Sequence, residues 1–340
     1  GRFIQGLGVG INHVGVPTYL SETSPTKIGA RLYIFNMIIF PLSGLLAGAL
    51  GFIAPSEPDS HEWRWRFLLA VPGAFAVIRL IAFLFFFKHE TPARLIQLGK
   101  VEEAKAVLNK IYRAHHEEHF KETLQHIEEM DGAKQIRYKE IFSCKYRKAL
   151  LAACLLGIIQ QGAGFPAYLV YTVELLRYPS DENVDTIKLF SFYVTVTNLA
   201  GGIVAVHLQR KRWKIKPFLL FGCAAMFLQQ LAYVLVASID NVTNAGLKYI
   251  VIVWPFLFQT SVGTLAAIYF KEILPPNGVL CAAFVNWLAI FASTQTYLDL
   301  VDGMGIDLVL IVYTAFCLAG FFIIAFYFIE PKRQNVEGNA

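Results

Sequence analysis

Long apolar runs recur along the whole chain, and they limit its fold more than any other feature of the sequence. A helix that crosses the hydrocarbon core of a bilayer needs about 20 mostly apolar residues. Only helices and closed β-barrels satisfy their backbone hydrogen bonds in lipid, and the runs show no alternation of apolar and polar residues. The sequence therefore predicts an all-α polytopic membrane protein. We count nine spans, at residues 3–19, 33–54, 67–87, 149–171, 189–207, 217–238, 249–270, 279–299 and 306–329.

The composition and the placement of charge agree with lipid as the main solvent. Of the 340 residues, 56% are hydrophobic and only 16% are charged, which is far from the balance of an ordinary soluble domain. The formal net charge of +5 does not indicate nucleic acid, because most Lys and Arg fall in loops on one side of the predicted membrane. Such asymmetry is typical of cytoplasmic loops. We therefore expect no nucleic-acid partner and a cytoplasmic location for residues 88–148.

No residue pattern indicates an enzyme, a cofactor or a metal site. The five cysteines lie singly in or beside apolar runs, without CxxC or paired spacing, so they predict neither a disulfide framework nor a metal site. We find no arrangement of nucleophile, base and oxyanion donors. The prediction is that the protein is not an enzyme and takes no cofactor or metal.

The spacing of the spans predicts two membrane bundles joined by a polar insert. We expect the insert to be helical and amphipathic, because apolar residues recur in it at helical spacing: Val101, Ala104, Val107, Leu108 and Ile111. The predicted domains are a partial N-terminal bundle at 1–87, a cytoplasmic helical linker at 88–148, a C-terminal six-helix bundle at 149–330 and a cytoplasmic tail at 331–340.

Five motifs carry a resemblance to a known family. In chain order they are GRFIQGLGVGINHVGVPTYLSETSPTK, HETPARL, QQGAGFPAYLVY, KEILPP and VNWLAIF. Their order and spacing resemble those of the sugar porters, a branch of the major facilitator superfamily. On this match the first motif belongs to the fourth helix and its loop, and the second to the end of the sixth helix. The third belongs to the seventh helix, the fourth to the exit of the tenth helix and the fifth to the eleventh helix. The resemblance implies a two-bundle fold with nine of twelve helices visible, and we expect the chain to be an N-terminally truncated fragment.

The resemblance implies transport of a small hydroxylated solute by alternating access. A hexose-type sugar is the expected substrate, the lipid bilayer is the surroundings, and protons are a candidate coupling ion. We expect a multi-pass protein of the plasma membrane. Two alternatives stay open: transport of another solute such as a polyol, inositol or an organic acid, and a nutrient sensor that binds without transporting.

The resemblance also implies a set of binding residues. Gln160 and Gln161 align with the family's paired glutamines, Asn286 and Trp287 align with ligand positions of the eleventh helix, and Tyr171 follows a ligand position. Amides match sugar hydroxyls, which both donate and accept hydrogen bonds. Other expected ligands are replaced, at Met37, Gly44, Pro166, Val170, Ala267 and Ile290.

The family's cytoplasmic gate is the source of a second set of predicted residues. Glu22 and Glu272 fill its acidic positions, Glu90 fits the motif after the sixth helix, and Arg94 stands beside the position where an arginine is expected. Two expected arginine partners are replaced by Asn277 and Val279. The resemblance implies that the acidic residues form ion pairs when the inner side is shut, whereas exposed carboxylates are often simply solvated.

Arg79 is an ionisable residue inside a predicted span. A charge at that depth is a functional candidate by default. It is the one visible group that an organic acid would need, but a long side chain can also extend to the membrane surface in a purely structural role.

Overall fold

The computed structural model describes residues 2–24, 26–54, 62–86, 90–111, 138–177, 183–211, 213–238, 244–328 and 330. Every regular element in these ranges is helical. The predicted all-α fold is confirmed for the part of the chain that the structure describes.

Contacts between residues divide the chain into two units. The first comprises Gly1–Ile39 and Glu57–Gln135, and the second comprises Phe40–Ser56 and Ile136–Ala340. The division passes through one helix, so the domain boundaries drawn from the sequence stay a prediction.

The first part of the chain forms five helices, of which the second is shared between the units. They are α1 (Arg2–Thr23), α2 (Thr26–Leu50), α3 (Glu62–Phe85), α4 (Pro92–Gln97) and α5 (Val101–Ile111). A short 3₁₀ turn, Gly51–Ile53, follows α2.

The remaining described residues form nine helices and two π-helical turns. The helices are α6 (Tyr138–Ile141), α7 (Arg147–Gly162), α8 (Thr172–Arg177), α9 (Val184–Arg210), α10 (Ile215–Ala237), α11 (Asn244–Phe258), α12 (Thr264–Ile273), α13 (Pro276–Met304) and α14 (Ile306–Tyr327). The π-helical turns, Pro166–Val170 and Gln259–Gly263, interrupt the segments that contain α7 and α11. One large apolar core joins these helices, with Trp254, Tyr168 and Tyr269 among its largest fully buried side chains.

Within the described residues, seven helical segments are long and apolar enough to cross a membrane. They account for seven of the nine predicted spans. The span predicted at 149–171 is not one continuous helix, because the chain breaks after Gly162. The span predicted at 3–19 is a continuous helix, but Gln5, Asn12 and His13 make it less apolar than the seven.

Helix α5 lies where the sequence predicts an amphipathic helix in the linker. Ala104 and Leu108 are fully buried, and Ala104 and Val107 form a small core with Leu95 of α4. The rest of the predicted linker helix, residues 112–137, lies outside the described residues.

A reciprocal pair of charged caps joins the start of α10 to the end of α14. The carboxylate of Glu330 accepts hydrogen bonds from the backbone N–H groups of Ile215 and Lys216, at 2.7 and 2.9 Å. The Lys216 ammonium donates to the carbonyl oxygens of Ala325 and Phe328, at 2.9 and 2.7 Å. An anion at a helix N-terminus and a cation at a helix C-terminus both complement the helix dipole.

Candidate functional site

The predicted glutamine pair lies directly before a break in the helical segment that starts at Arg147. Helix α7 ends at Gly162, and Gly164 has a φ of +111°, a conformation that glycine adopts without the steric cost other residues meet. Pro166 then removes a backbone donor and opens the π-helical turn. The sequence Gly-Ala-Gly-Phe-Pro therefore places Gln160 and Gln161 in the last helical turn before irregular backbone.

Gln160 and Asn286 meet side chain to side chain. The Asn286 amide donates to Gln160 Oε1 at 2.7 Å and to the Gly157 carbonyl at 3.3 Å. A Cβ on Gly157 would lie 3.2 Å from the Cβ of Asn286, so the glycine lets α13 approach α7 closely. The structure thus brings together two predicted binding residues that are far apart in the chain.

The Gln160 amide also reaches the second π-helical turn. Its Nε2 donates to the carbonyl oxygens of Gly263 and Val262, at 3.0 and 3.2 Å. π-helical turns are frequent at functional sites because they disturb the regular backbone hydrogen-bond ladder. Gln160 therefore links both irregular segments to α13, and both ends of its amide are engaged.

Gln161 has a different environment from its neighbour. It is only 3% exposed, and its Oε1 is enclosed without a hydrogen-bond partner. An unpaired buried acceptor is costly, and in a native structure it calls for a functional or solvent explanation. Gln161 thus offers an acceptor that packing within the bundle does not use.

Sequence reasoning missed several buried polar residues in the same bundle. Asn198 on α9 is buried, and its Nδ2 likewise has no partner. Gln259 donates to Thr264 Oγ1 at 3.3 Å, and Thr260 donates to the Gly201 carbonyl at 3.3 Å. The sequence did contain a signal for them, a polar residue inside an apolar run. A count of apolar residues does not register that signal.

Aromatic side chains pack around the part of the segment that follows the break. Tyr171 donates its hydroxyl hydrogen to the Thr294 carbonyl at 3.1 Å and stacks on Tyr297 at a centroid distance of 4.8 Å. Tyr168 stacks on Trp254 at 4.6 Å. The predicted residue Tyr171 is therefore held against α13, the helix that carries Asn286.

The remaining residues to place are Trp287 and three that replace expected ligands, Pro166, Ala267 and Ile290. The Trp287 indole is 40% exposed, and adjacent residues on a helix point about 100° apart, so it does not share the direction of Asn286. Pro166 serves as the first residue of the π-helical turn. Ala267 and Ile290 are half-buried.

The predicted gate residues are distributed over the two units. Glu22 is half-buried near the end of α1, and Glu90 is exposed just before α4. Arg94 is exposed in α4, where its backbone N–H donates to the capping Thr91 Oγ1 at 3.3 Å. Glu272 is exposed near the end of α12 in the second unit. The pairing of these residues stays a prediction.

Comparison with known proteins identifies the family. The model of the family described as "Sugar (and other) transporter" matches residues 1–339. The chain belongs to this family. Three of its relatives are Hexose transporter 1 of Plasmodium falciparum, the probable plastidic glucose transporter 1 of Arabidopsis thaliana and the putative metabolite transport protein YwtG of Bacillus subtilis. In that order, they are 28%, 27% and 26% identical to this chain. The alignments cover 98%, 99% and 99% of this chain, and 70%, 64% and 72% of the relatives' own lengths.

Solved structures of the Escherichia coli xylose transporter XylE share the fold. The partially occluded inward-open form has a TM-score of 0.79 at 22% identity, and the match covers 98% of this chain and 71% of the XylE chain. The form bound to 6-bromo-6-deoxy-D-glucose has a TM-score of 0.74 at 21% identity, with 97% and 70% covered. The fold is that of the major facilitator superfamily, and the protein is a multi-pass membrane protein of this transporter family.

Proposed function

We propose that the protein carries a small hydroxylated solute, a hexose-type sugar, across the plasma membrane by alternating access. Relatives named as hexose and glucose transporters and a fold shared with a xylose transporter support this assignment. The assignment describes a transporter and not an enzyme. Proton coupling is a separate question, which an imposed gradient addresses.

The arrangement of amides around the helix break carries the proposal. Gln160 and Asn286 are bonded to each other, and Gln161 presents an unused acceptor next to the break. Substrate sites of secondary transporters lie typically at interrupted helices, where irregular backbone lines a cavity. Neutral amides suit a ligand with many hydroxyls and no charge. We infer that movement at the break exposes Gln161 to the solute.

The two glutamines are expected to contribute differently. Gln160 holds three elements together, so its loss affects packing as well as binding. Gln161 is not engaged in this way, and Gln161→Leu should remove one hydrogen bond to the solute. Since a hydrogen bond contributes about 0.5 to 1.5 kcal/mol, KM should rise about 2- to 13-fold. The double variant Gln160→Ala with Gln161→Ala should abolish uptake.

The test is uptake of labelled glucose by vesicles that carry the complete protein, with and without a proton gradient. Thr197→Val is the matched control, because Thr197 donates to the Ile252 carbonyl at 2.8 Å and links α9 to α11 in the same bundle. It should leave KM unchanged. A folded, inserted protein that takes up neither glucose nor any polyol, inositol or organic acid would overturn transport and favour a nutrient sensor.

A further inference from the structure

Gln230 of α10 reaches the helix break from outside the proposed binding residues. Its side chain is fully buried, and its Nε2 donates to the Ala163 carbonyl at 2.6 Å. Ala163 is the residue that caps the end of α7. The N–H of Gly164 donates back to the Gln161 carbonyl at 3.3 Å, and the N–H groups of Tyr168 and Tyr171 donate to the carbonyls of Gly164 and Pro166. The Gln230 amide therefore bonds the chain at the point where the helix stops.

Gly164 and Gln230 fit each other. At a φ of +111°, Gly164 turns the backbone, and a Cβ there would lie 3.1 Å from Gln230 Nε2. Glycine thus permits both the backbone conformation and the close approach of the amide. The Gln230 amide of α10 therefore packs directly against the turn at Gly164.

The far end of the same amide is held by α14. Cys317 is fully buried, and its Sγ lies 3.8 Å from both Gln230 Oε1 and the Ala163 carbonyl oxygen. A thiol is a weak donor, so this contact orients the amide and adds little energy. The Gln230 amide is therefore held between Cys317 of α14 and the Ala163 carbonyl at the break.

We propose that Gln230 is a positioning residue for solute binding: its bond to Ala163 fixes where α7 ends and so fixes the direction in which Gln160 and Gln161 point. In this proposal Gln230 acts through Gln160 and Gln161 and does not bind the solute itself. This inference rests on the proposed transport function. It also predicts a local structural effect that does not need a transported solute.

The experiment replaces the amide by a side chain of similar length that has no N–H donor. Gln230→Met should raise the KM for labelled glucose at least threefold when uptake is normalised to the amount of inserted protein. A side chain that served only stability would lower the amount of protein and leave KM unchanged. Thr197→Val, which removes a hydrogen bond between α9 and α11, is the control and should leave KM unchanged.

Hydrogen exchange on the purified complete protein gives the second readout. The backbone N–H groups of residues 164, 165 and 167–172 should exchange faster in Gln230→Met than in the parent, and those of α9 should not change. Faster exchange without uptake by the parent would overturn the proposed function while supporting the role of Gln230 at the break. Parent-like exchange and KM in Gln230→Met, or equal changes in Thr197→Val, would overturn the inference.

A second variant covers the case in which Gln230→Met does not insert. Gln230→Asn keeps the amide but is one methylene shorter, so its donor cannot reach Ala163 from the same backbone position. It should give the same rise in KM and the same faster exchange. Parent-like values in Gln230→Asn would overturn the inference in that case.

Discussion

Two apolar segments, Trp63–Phe85 in the first unit and Gly246–Ile273 in the second, differ most in how much of them is buried. Trp63–Phe85 is the more apolar of the two, yet none of its most apolar 18-residue stretch is buried. For Gly246–Ile273 the buried share is 61%. Apolar content therefore predicts that a segment can lie in lipid, but it does not predict which segments pack against each other.

Small and polar residues stand at the places where helices of the second unit meet. A Cβ on Gly201 would lie 2.6 Å from the Phe256 carbonyl oxygen, and one on Gly222 would collide with the Ser261 side chain. In the first unit, a Cβ on Gly73 of α3 would meet nothing within 4 Å. Lipid tails are as apolar as leucine, so close packing in a membrane depends on small residues and on hydrogen bonds between helices.

The largest expected effect comes from filling one of these close contacts. Gly201→Val should destabilise the second unit by about 1 to 3 kcal/mol, because the added carbons meet backbone that cannot rotate away. Gly73→Val is the control in the exposed helix and carries the same intrinsic cost in a helix. The measurement is the temperature at which half of the purified protein leaves the monodisperse chromatographic peak. An equal decrease in both variants would contradict the comparison.

A smaller effect is expected at the charged caps between α10 and α14. Glu330→Ala removes the carboxylate that caps the start of α10, and the loss of a helix cap costs about 0.5 to 2 kcal/mol in total. Glu102→Ala is the control, because Glu102 forms an exposed ion pair with Lys105 at 2.8 Å, and such pairs contribute about 0 to 1 kcal/mol. The same thermal assay should show a clear decrease for Glu330→Ala only. If Glu102→Ala had the larger effect, the caps would not stabilise the bundle.

Part of the fold and of the site could be predicted from the sequence. Apolar runs gave seven of the described spans, because hydropathy is a local property. The break after Gly162 was missed within a span drawn as continuous, although Gly164 and Pro166 are the local signals for it. The hydrogen bond from Gln230 to the Ala163 carbonyl at this break could not be predicted, because no local pattern connects the two residues.

The candidate site shows the same limit. Resemblance to a family indicated Gln160 and Asn286 as binding residues, but nothing in their spacing predicts that their amides bond to each other. Asn198 was missed because one amide scarcely changes the hydropathy of a long apolar run. Which polar side chains meet is decided by the packing of helices that are distant in sequence, and that information is not local.

The smallest effect is expected at Arg79, a charged residue inside the apolar part of α3. Its side chain is exposed, and substitutions at exposed positions usually change stability by less than about 0.5 kcal/mol. Arg79→Leu should therefore change the KM for glucose less than twofold and leave the thermal midpoint unchanged. Arg79→Lys, which keeps the charge, is the matched control. Loss of uptake in Arg79→Leu with retention in Arg79→Lys would show that α3 supplies a positive charge to transport, and it would favour an organic acid as the solute. That result would contradict the comparison, because a helix whose side chains are mostly exposed would then carry a functional group.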